Sequence, residues 1–163
     1  MYQMNDRIPD ETYMDEAFNE AFSGMRSNHG GPFGAVIVMD GRIIGRGCNK
    51  VILNSDPTAH AEVTAIRDAC IHTKSHDLSG AVIYTTCEPC PMCFSAIYWA
   101  NIGEVVFALS KQDAEELGFR DKHIYEEIAK EFQQRNTRFI QVGHPRIGQL
   151  IREWNEKNDK SLY

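Results

Sequence analysis

The sequence predicts a three-layer α/β/α domain with a mixed five-stranded sheet. Segments of helical periodicity alternate with short apolar runs, an Asp-Gly turn joins two of those runs, and a helix-length segment separates two later ones. The chain has 163 residues, of which 42% are hydrophobic and 25% charged. These values are typical of one globular domain, so we expect a single domain over 1–163.

The first helix and a hairpin account for the N-terminal third. Asp10 is a suitable N-cap for a helix over about 10–28. Two apolar runs around Asp40 and Gly41 predict a β-hairpin within 29–49. The apolar face of the helix consists of residues at helical spacing, which the sequence assigns to core packing: Met14, Phe18, Phe22 and Met25.

The middle of the chain predicts two further helix starts and two strands. Asp56 as N-cap and Pro57 at the first position predict the start of a second helix. A buried strand follows at 80–86, then a short helix at 91–101 and another strand at 103–110. The strand, helix, strand order implies a parallel pair joined by a crossover.

The C-terminal part predicts mostly helix. Segments 113–119 and 122–135 have helical patterns, and 138–142 ("RFIQV") is expected to be the fifth strand. A C-terminal helix and polar tail occupy 144–163.

Charge and cysteine content restrict the function. The net charge is −6 and the pI is near 5.5, which disfavours nucleic acid and favours a small, uncharged ligand. No apolar run has the length of a membrane span, and the N-terminus lacks a signal pattern. The five cysteines, an odd number, fit a reducing cytoplasm better than a disulfide framework.

The stretch "TTCEPCPMC" (85–93) has three possible functions. Cys90 and Cys93 form a C-x-x-C pair, which could be a redox dithiol, half of a structural zinc site or part of a catalytic metal centre. A structural site needs a second such pair, and the remaining cysteines, Cys48, Cys70 and Cys87, are single.

The third possibility gains support from "TAHAEV", which contains His60 and Glu62. Both motifs fall at predicted helix starts, where side chains can reach an ion off the helix end. His60-x-Glu62 with Pro89-Cys90-x-x-Cys93 matches the zinc nucleobase deaminase pattern. Three protein ligands leave a fourth position for water, as in catalytic zinc sites. We therefore predict one catalytic Zn²⁺ per subunit, which activates water to attack a ring carbon, and Glu62 as the proton shuttle.

Several longer blocks resemble the guanine deaminases of the cytidine-deaminase superfamily: "GGPFGAVIV" (30–38), "NSDPTAHAEVTAIR" (54–67), "YTTCEPCPMCFSAIYWA" (84–100) and "GFRDKHIYEEI" (118–128). The resemblance implies deamination of guanine to xanthine and ammonia. It also implies a homodimer in which the C-terminal segment crosses to cover the partner's active site. "FS" at 94–95 and the segment 144–163 depart from the family pattern.

The resemblance assigns further site residues, each with a plainer alternative. Asp121 would assist proton transfer or bind guanine, but it could simply cap a helix. Tyr163 would approach the substrate with its side chain or carboxylate, but a chain terminus is often frayed. The other substrate contacts would come from turn, helix-start and core positions, where ordinary structural roles compete: Asn49, the Ala61 backbone, Phe33 and Trp99.

Other functions stay open. An accessible pocket would admit guanosine, and other aminopurines or triazines are possible substrates. A tRNA adenosine deaminase has the same zinc motif but needs a basic groove. In another class, the protein would be a zinc-stabilised binding module without turnover, although such a site has no use for an open coordination position.

Overall fold

The computed structural model describes residues 9–162 and falls into two compact units that divide between Asp121 and Lys122. The first unit contains α1 (Glu11–Arg26), β1 (Gly34–Met39), β2 (Arg42–Cys48), α2 (Val51–Asn54), α3 (Ala61–Thr73), β3 (Val82–Cys87), α4 (Pro91–Trp99), β4 (Glu104–Leu109) and α5 (Lys111–Glu116). The second unit contains α6 (Lys122–Ile128), a 3₁₀ turn at Phe132–Gln134 and α7 (Ile147–Glu156). No helix within 9–162 is long and apolar enough to cross a membrane. The single domain over 1–163 stays a prediction.

The first helix and the hairpin form as expected. Asp10 accepts a hydrogen bond at Oδ1 from the Thr12 N–H (3.0 Å) and caps α1. Asp40 and Gly41 join β1 to β2, and both have positive φ, 50° and 72°. Positive φ at both central residues is the requirement of a type I′ hairpin turn, which Asp-Gly meets readily.

The sheet is mixed, in the order β2-β1-β3-β4. β1 pairs antiparallel with both β2 and β3, whereas β3 pairs parallel with β4. Within the described residues the sheet has four strands, so the prediction of a fifth strand is wrong.

Residues 138–142 do not form that fifth strand because their aromatic residue is engaged locally in the second unit. Phe139 stacks on Phe132 with ring centroids 5.3 Å apart. The Arg135 guanidinium lies over both rings, and its Nε donates to the Lys130 carbonyl (3.1 Å). The secondary structure of a short apolar run cannot be assigned from its sequence pattern alone, because its tertiary contacts decide it.

Helices cover both faces of the sheet in the first unit. Val36 and Val38 of β1 pack with Ala17 of α1 on one face. The alternate residues of β1 face the other way, as the two-residue repeat of a strand requires. There they join a core cluster that includes buried residues of α3, β3 and α4: Ala35, Ile37, Ala61, Ala65, Ile83 and Ile97. The three-layer arrangement thus places the starts of α3 and α4 on the same face.

The start of α3 differs from the sequence prediction. α3 begins at Ala61, with His60 as its N-cap, and not at Pro57. Asp56 instead accepts a hydrogen bond at Oδ1 from the Thr58 N–H (2.8 Å) and forms a separate turn. Asp and Pro favour turns as readily as helix starts. Here Asp56 and Pro57 belong to a turn that ends before the helix begins at Ala61.

Candidate metal centre and active site

His60 is held at the beginning of α3 by its backbone. Its φ and ψ are extended (−67° and 160°), and its carbonyl accepts from the Thr64 N–H at 2.9 Å. The preceding residue is also fixed, because the Ala59 carbonyl accepts from the Lys50 N–H at 2.8 Å. The His60 side chain makes no capping hydrogen bond to α3. Its imidazole can therefore serve a ligand beyond the helix end.

Cys90 and Cys93 occupy the N-cap and the third position of α4. Cys90 is extended (φ −65°, ψ 168°), and its carbonyl accepts from the Phe94 N–H at 2.8 Å. Pro91 stands at the first helical position, where a missing N–H costs no helical hydrogen bond. Cys93 is fully buried. The positive end of the α4 dipole favours a thiolate at this helix start.

The three predicted ligands form one group. The His60 Nδ1 lies 3.5 Å from the Cys90 Sγ and 3.6 Å from the Cys93 Sγ, and all three atoms lie within 4.8 Å of one another. A tetrahedral zinc with bonds of about 2.3 Å to sulfur and about 2.0 Å to nitrogen separates such ligands by about 3.6 Å. The donor types and the spacing therefore fit zinc, and the predicted metal site is confirmed.

Glu62 lies against this group without belonging to it. The Cys93 thiol donates to the Glu62 Oε2 at 3.3 Å, and Glu62 is only 6% exposed. Burial raises the pKa of the Glu62 carboxyl. Cys87 also lies outside the group; its Sγ is directed to the Ser110 carbonyl at 3.8 Å. Burial raises the pKa of the Cys87 thiol to about 12.

The ligand side chains change one another's ionisation. A hydrogen bond from Cys93, and then one from His60, lower the pKa of the Cys90 thiol to about 4. The same contact with Cys90 raises the pKa of Cys93, and burial adds to this increase. A hydrogen bond to Cys90 raises the pKa of His60. Zinc requires both cysteines as thiolates, so metal binding displaces the thiol proton that Cys93 donates to Glu62 in the free protein.

Three of the predicted substrate contacts lie around the start of α3. Asn49 is 5% exposed, and its N–H donates to the Phe33 carbonyl at 3.0 Å. Ala61 is the first residue of α3 and is buried, so its N–H has no carbonyl acceptor within the helix. The Phe33 ring packs partly against the core cluster that contains Ala61. Their roles in substrate binding stay predictions.

The other predicted residues are placed differently. Asp121 is half-buried, and its charge is close enough to His60 and Cys90 to influence the group electrostatically. Burial, followed by the charge of Cys90, raises the pKa of Asp121. Trp99 is the last residue of α4, at the opposite end from the cysteines, and is 66% exposed. Tyr163 lies outside the described residues.

The structure adds one aromatic residue that the sequence did not single out. Phe119 meets Phe33 edge to face, with ring centroids 4.7 Å apart. Gly31 leaves room for this pair, because a Cβ there would lie 2.8 Å from the Phe119 Cζ and 3.0 Å from the Phe33 Cε2. The position of Phe119 two residues before Asp121 was the only signal in the sequence.

Comparison with known proteins agrees with this site. Residues 7–109 match the cytidine and deoxycytidylate deaminase zinc-binding region. The chain is 51% identical to the guanine deaminase of Bacillus subtilis over 153 residues, which are 94% of this chain and 98% of the relative. It is 47% identical to the tRNA-specific adenosine deaminase of Buchnera aphidicola subsp. Baizongia pistaciae over 76 residues, 47% of each protein.

A solved structure extends the comparison to the fold. The X-ray structure of guanine deaminase from Bacillus subtilis superposes with a TM-score of 0.91 and 45% identity, covering 96% of this chain and 99% of that one. The α/β fold and the His-Cys-Cys group define a zinc-binding deaminase. The chain belongs to the cytidine and deoxycytidylate deaminase family, and the resemblance inferred from its motifs is confirmed.

Proposed function

We propose that the chain is a zinc-dependent guanine deaminase, which converts guanine and water to xanthine and ammonia. The observation that carries this proposal is the group of His60, Cys90 and Cys93 with the buried Glu62 carboxylate against it. The nearly full-length similarity to a guanine deaminase supports guanine as the substrate.

His60, Cys90 and Cys93 would hold one Zn²⁺ per subunit, with water as the fourth ligand. The metal, when bound there, would make a water molecule acidic enough to lose a proton near neutral pH and so to act as a nucleophile. An open fourth position beside a carboxylate outside the ligand set suits catalysis and not a purely structural site.

Glu62 moves the protons. Its carboxylate accepts a proton from the attacking water and gives it to the ring nitrogen next to the reacting carbon. It then carries the remaining hydroxyl proton to the amino group, so that the C–N bond breaks with release of neutral ammonia. Its Oε2 lies 3.3 Å from the Sγ of the proposed ligand Cys93, which supports this role.

The remaining contacts bind and orient the base. Asn49 and the Ala61 N–H would hydrogen-bond the purine, and Phe33 would supply an aromatic wall. Asp121 would assist proton transfer or bind the guanine, which its electrostatic coupling to the ligand group supports. Tyr163 is proposed to approach the substrate from the C-terminal tail.

Two observations favour guanine over RNA as the proposed substrate. The net charge of −6 does not suit an anticodon stem-loop. The tRNA-specific adenosine deaminase described above matches only about half of this chain, whereas the guanine deaminase matches nearly all of it.

A direct assay tests the substrate. The zinc-loaded protein is incubated separately with guanine, guanosine, adenine, cytosine, an aminated triazine and a tRNA stem-loop, and ammonia release is measured. We expect turnover of free guanine. Protein with Glu62→Gln, purified in the same way, reports any contaminating deaminase. Activity confined to guanosine or RNA would replace the proposed substrate, and inactivity on all of them would favour a binding module.

We also propose a cytoplasmic homodimer in which segment 144–163 of each chain covers the partner's site. All five cysteines are free, as a reducing compartment requires. Large apolar side chains are exposed on α4, and the second unit has an exposed apolar stripe on α7. Surfaces of this kind mark contacts between proteins: Phe94, Tyr98 and Trp99 on α4, and Ile147, Leu150, Ile151 and Trp154 on α7.

Mixed dimers test the exchange of the tail. A chain with Glu62→Gln has an intact tail but an inactive site, and a wild-type chain truncated after residue 143 has an intact site but no tail. Each alone is expected to be inactive. Refolded together with zinc, they should regain turnover, because the full-length chain supplies the tail that the truncated chain lacks. Inactive mixtures that native mass spectrometry shows to contain heterodimers would contradict the exchange.

A further inference from the structure

Asn49 is held in one orientation by the backbone next to it. Its Oδ1 accepts a hydrogen bond from the Val51 N–H at 3.2 Å. An N–H must meet an acceptor, so this contact identifies the oxygen and assigns the NH₂ group to the opposite side of the carboxamide. One lone pair of the Asn49 Oδ1 is therefore engaged by Val51, and the two N–H groups are directed away from Val51.

Asn49 is also fixed in position relative to the metal centre. The neighbouring Lys50 N–H donates to the Ala59 carbonyl at 2.8 Å, and Ala59 immediately precedes the ligand His60. The Asn49 N–H donates to the Phe33 carbonyl at 3.0 Å. The backbone on both sides of the side chain is thus tied to other proposed site segments.

Gly30 provides the space that the carboxamide occupies. A Cβ at position 30 would overlap the Asn49 Oδ1 and lie 3.0 Å from both the Asn49 Cγ and the Asn49 backbone oxygen. Real Cβ atoms do not tolerate the overlap, and the carboxamide cannot retreat without breaking its bond to Val51.

The backbone conformation of Gly30 does not itself require glycine. Gly41, Gly80 and Gly118 have φ values of 72°, 86° and 93°, in the region that favours glycine. Gly30 lies outside that region. The absence of a side chain at position 30 is therefore explained by Asn49 and not by a turn.

We propose that Gly30 is a positioning residue for recognition of the base. By leaving its Cβ position empty, it lets the Asn49 Oδ1 bind the Val51 N–H, so that Asn49 acts on the purine as a hydrogen-bond donor. The atom recognised is then an acceptor of the purine, either its carbonyl oxygen or an unprotonated ring nitrogen. This inference rests on the proposed function.

A double-mutant cycle tests the role through Asn49. Gly30→Ala should raise KM for guanine about ten- to a hundredfold, with a smaller change in kcat, since a lost donor weakens binding. Asn49→Ala should have a similar effect. In the Asn49→Ala background, Gly30→Ala should change kcat/KM less than about twofold, because the overlapping carboxamide is gone and only the 3.0 Å approach to the backbone oxygen of residue 49 remains.

The matched control is Gly103→Ala. A Cβ at position 103 would meet open space, and the φ of Gly103 is not positive. This variant therefore reports the effect on activity of replacing a glycine by alanine without a clash. It should behave like wild type. Additive effects of Gly30→Ala and Asn49→Ala would overturn the proposal. If Gly30→Ala does not fold, the double variant should fold, and failure of both would also overturn it.

A measurement without substrate separates this inference from the proposed function. In the zinc-loaded protein, Gly30→Ala should speed hydrogen exchange of the Val51 amide, which loses its acceptor, and leave the Lys50 amide protected by Ala59. Unchanged exchange at Val51 would contradict the positioning role. If the wild-type protein does not deaminate guanine, the proposed function fails. The exchange rate of the Val51 amide in Gly30→Ala still tests the positioning role in that case.

Discussion

Replacing Glu62 with glutamine is expected to leave zinc bound and to lower kcat for guanine by about 10²- to 10⁴-fold, the usual contribution of a positioned acid or base. Glutamine has nearly the same shape and still fits the buried site beside Cys93. Its carboxamide cannot accept the proton of the attacking water. Ammonia release under saturating guanine measures kcat, and elemental analysis measures zinc.

The control for this variant is Glu115→Gln, on the exposed surface of α5. It removes one carboxylate of the same kind and should retain wild-type kcat. A Glu62→Gln enzyme that keeps a tenth of the wild-type kcat would exclude Glu62 as the proton shuttle. Loss of zinc along with activity would instead indicate that Glu62 supports the metal site.

Replacing Cys90 with alanine should abolish stable zinc binding and lower turnover about a thousandfold or more, since the metal contributes several kcal/mol to the barrier. The two remaining ligands, His60 and Cys93, cannot complete a tetrahedral site with protein donors. Zinc per chain is measured by mass spectrometry after gel filtration, and kcat by ammonia release.

The chain contains a matched control for this loss. Cys87 is a buried cysteine three residues earlier, but its Sγ is directed to the Ser110 carbonyl and not to the ligand group. Cys87→Ala should therefore keep one zinc per chain and its activity. Loss of zinc in Cys87→Ala, or full zinc in Cys90→Ala, would show that the ligand set is assigned wrongly.

The metal centre was predictable because its information is local. His60-x-Glu62 and Cys90-x-x-Cys93 each place side chains at a helix start, and only the approach of the two segments had to be assumed. The four observed strands were predictable for the same reason, since each is a short apolar run bounded by turns or helices.

What the sequence did not reveal depends on which of several possible contacts forms in the folded chain. Asp56 could start a helix or a turn, and its bond to the Thr58 N–H decided for the turn. Segment 138–142 has strand character, but Phe139 packs on Phe132 instead. The contacts of Gly30 with Asn49 and of Phe119 with Phe33 join residues far apart in sequence, so no local pattern predicts them.

His60 and Cys90 occupy N-cap positions without capping their helices. A capping side chain is typically worth about 1 kcal/mol, so α3 and α4 both begin without a stabilisation that Ser or Asp would supply. Zinc joins the two helix starts and compensates for it, because a ligand that binds only the folded form raises its stability. We therefore expect the stability of this part of the chain to depend on metal supply: without zinc the two helix starts lose the ligand that joins them, and the free energy of unfolding should fall.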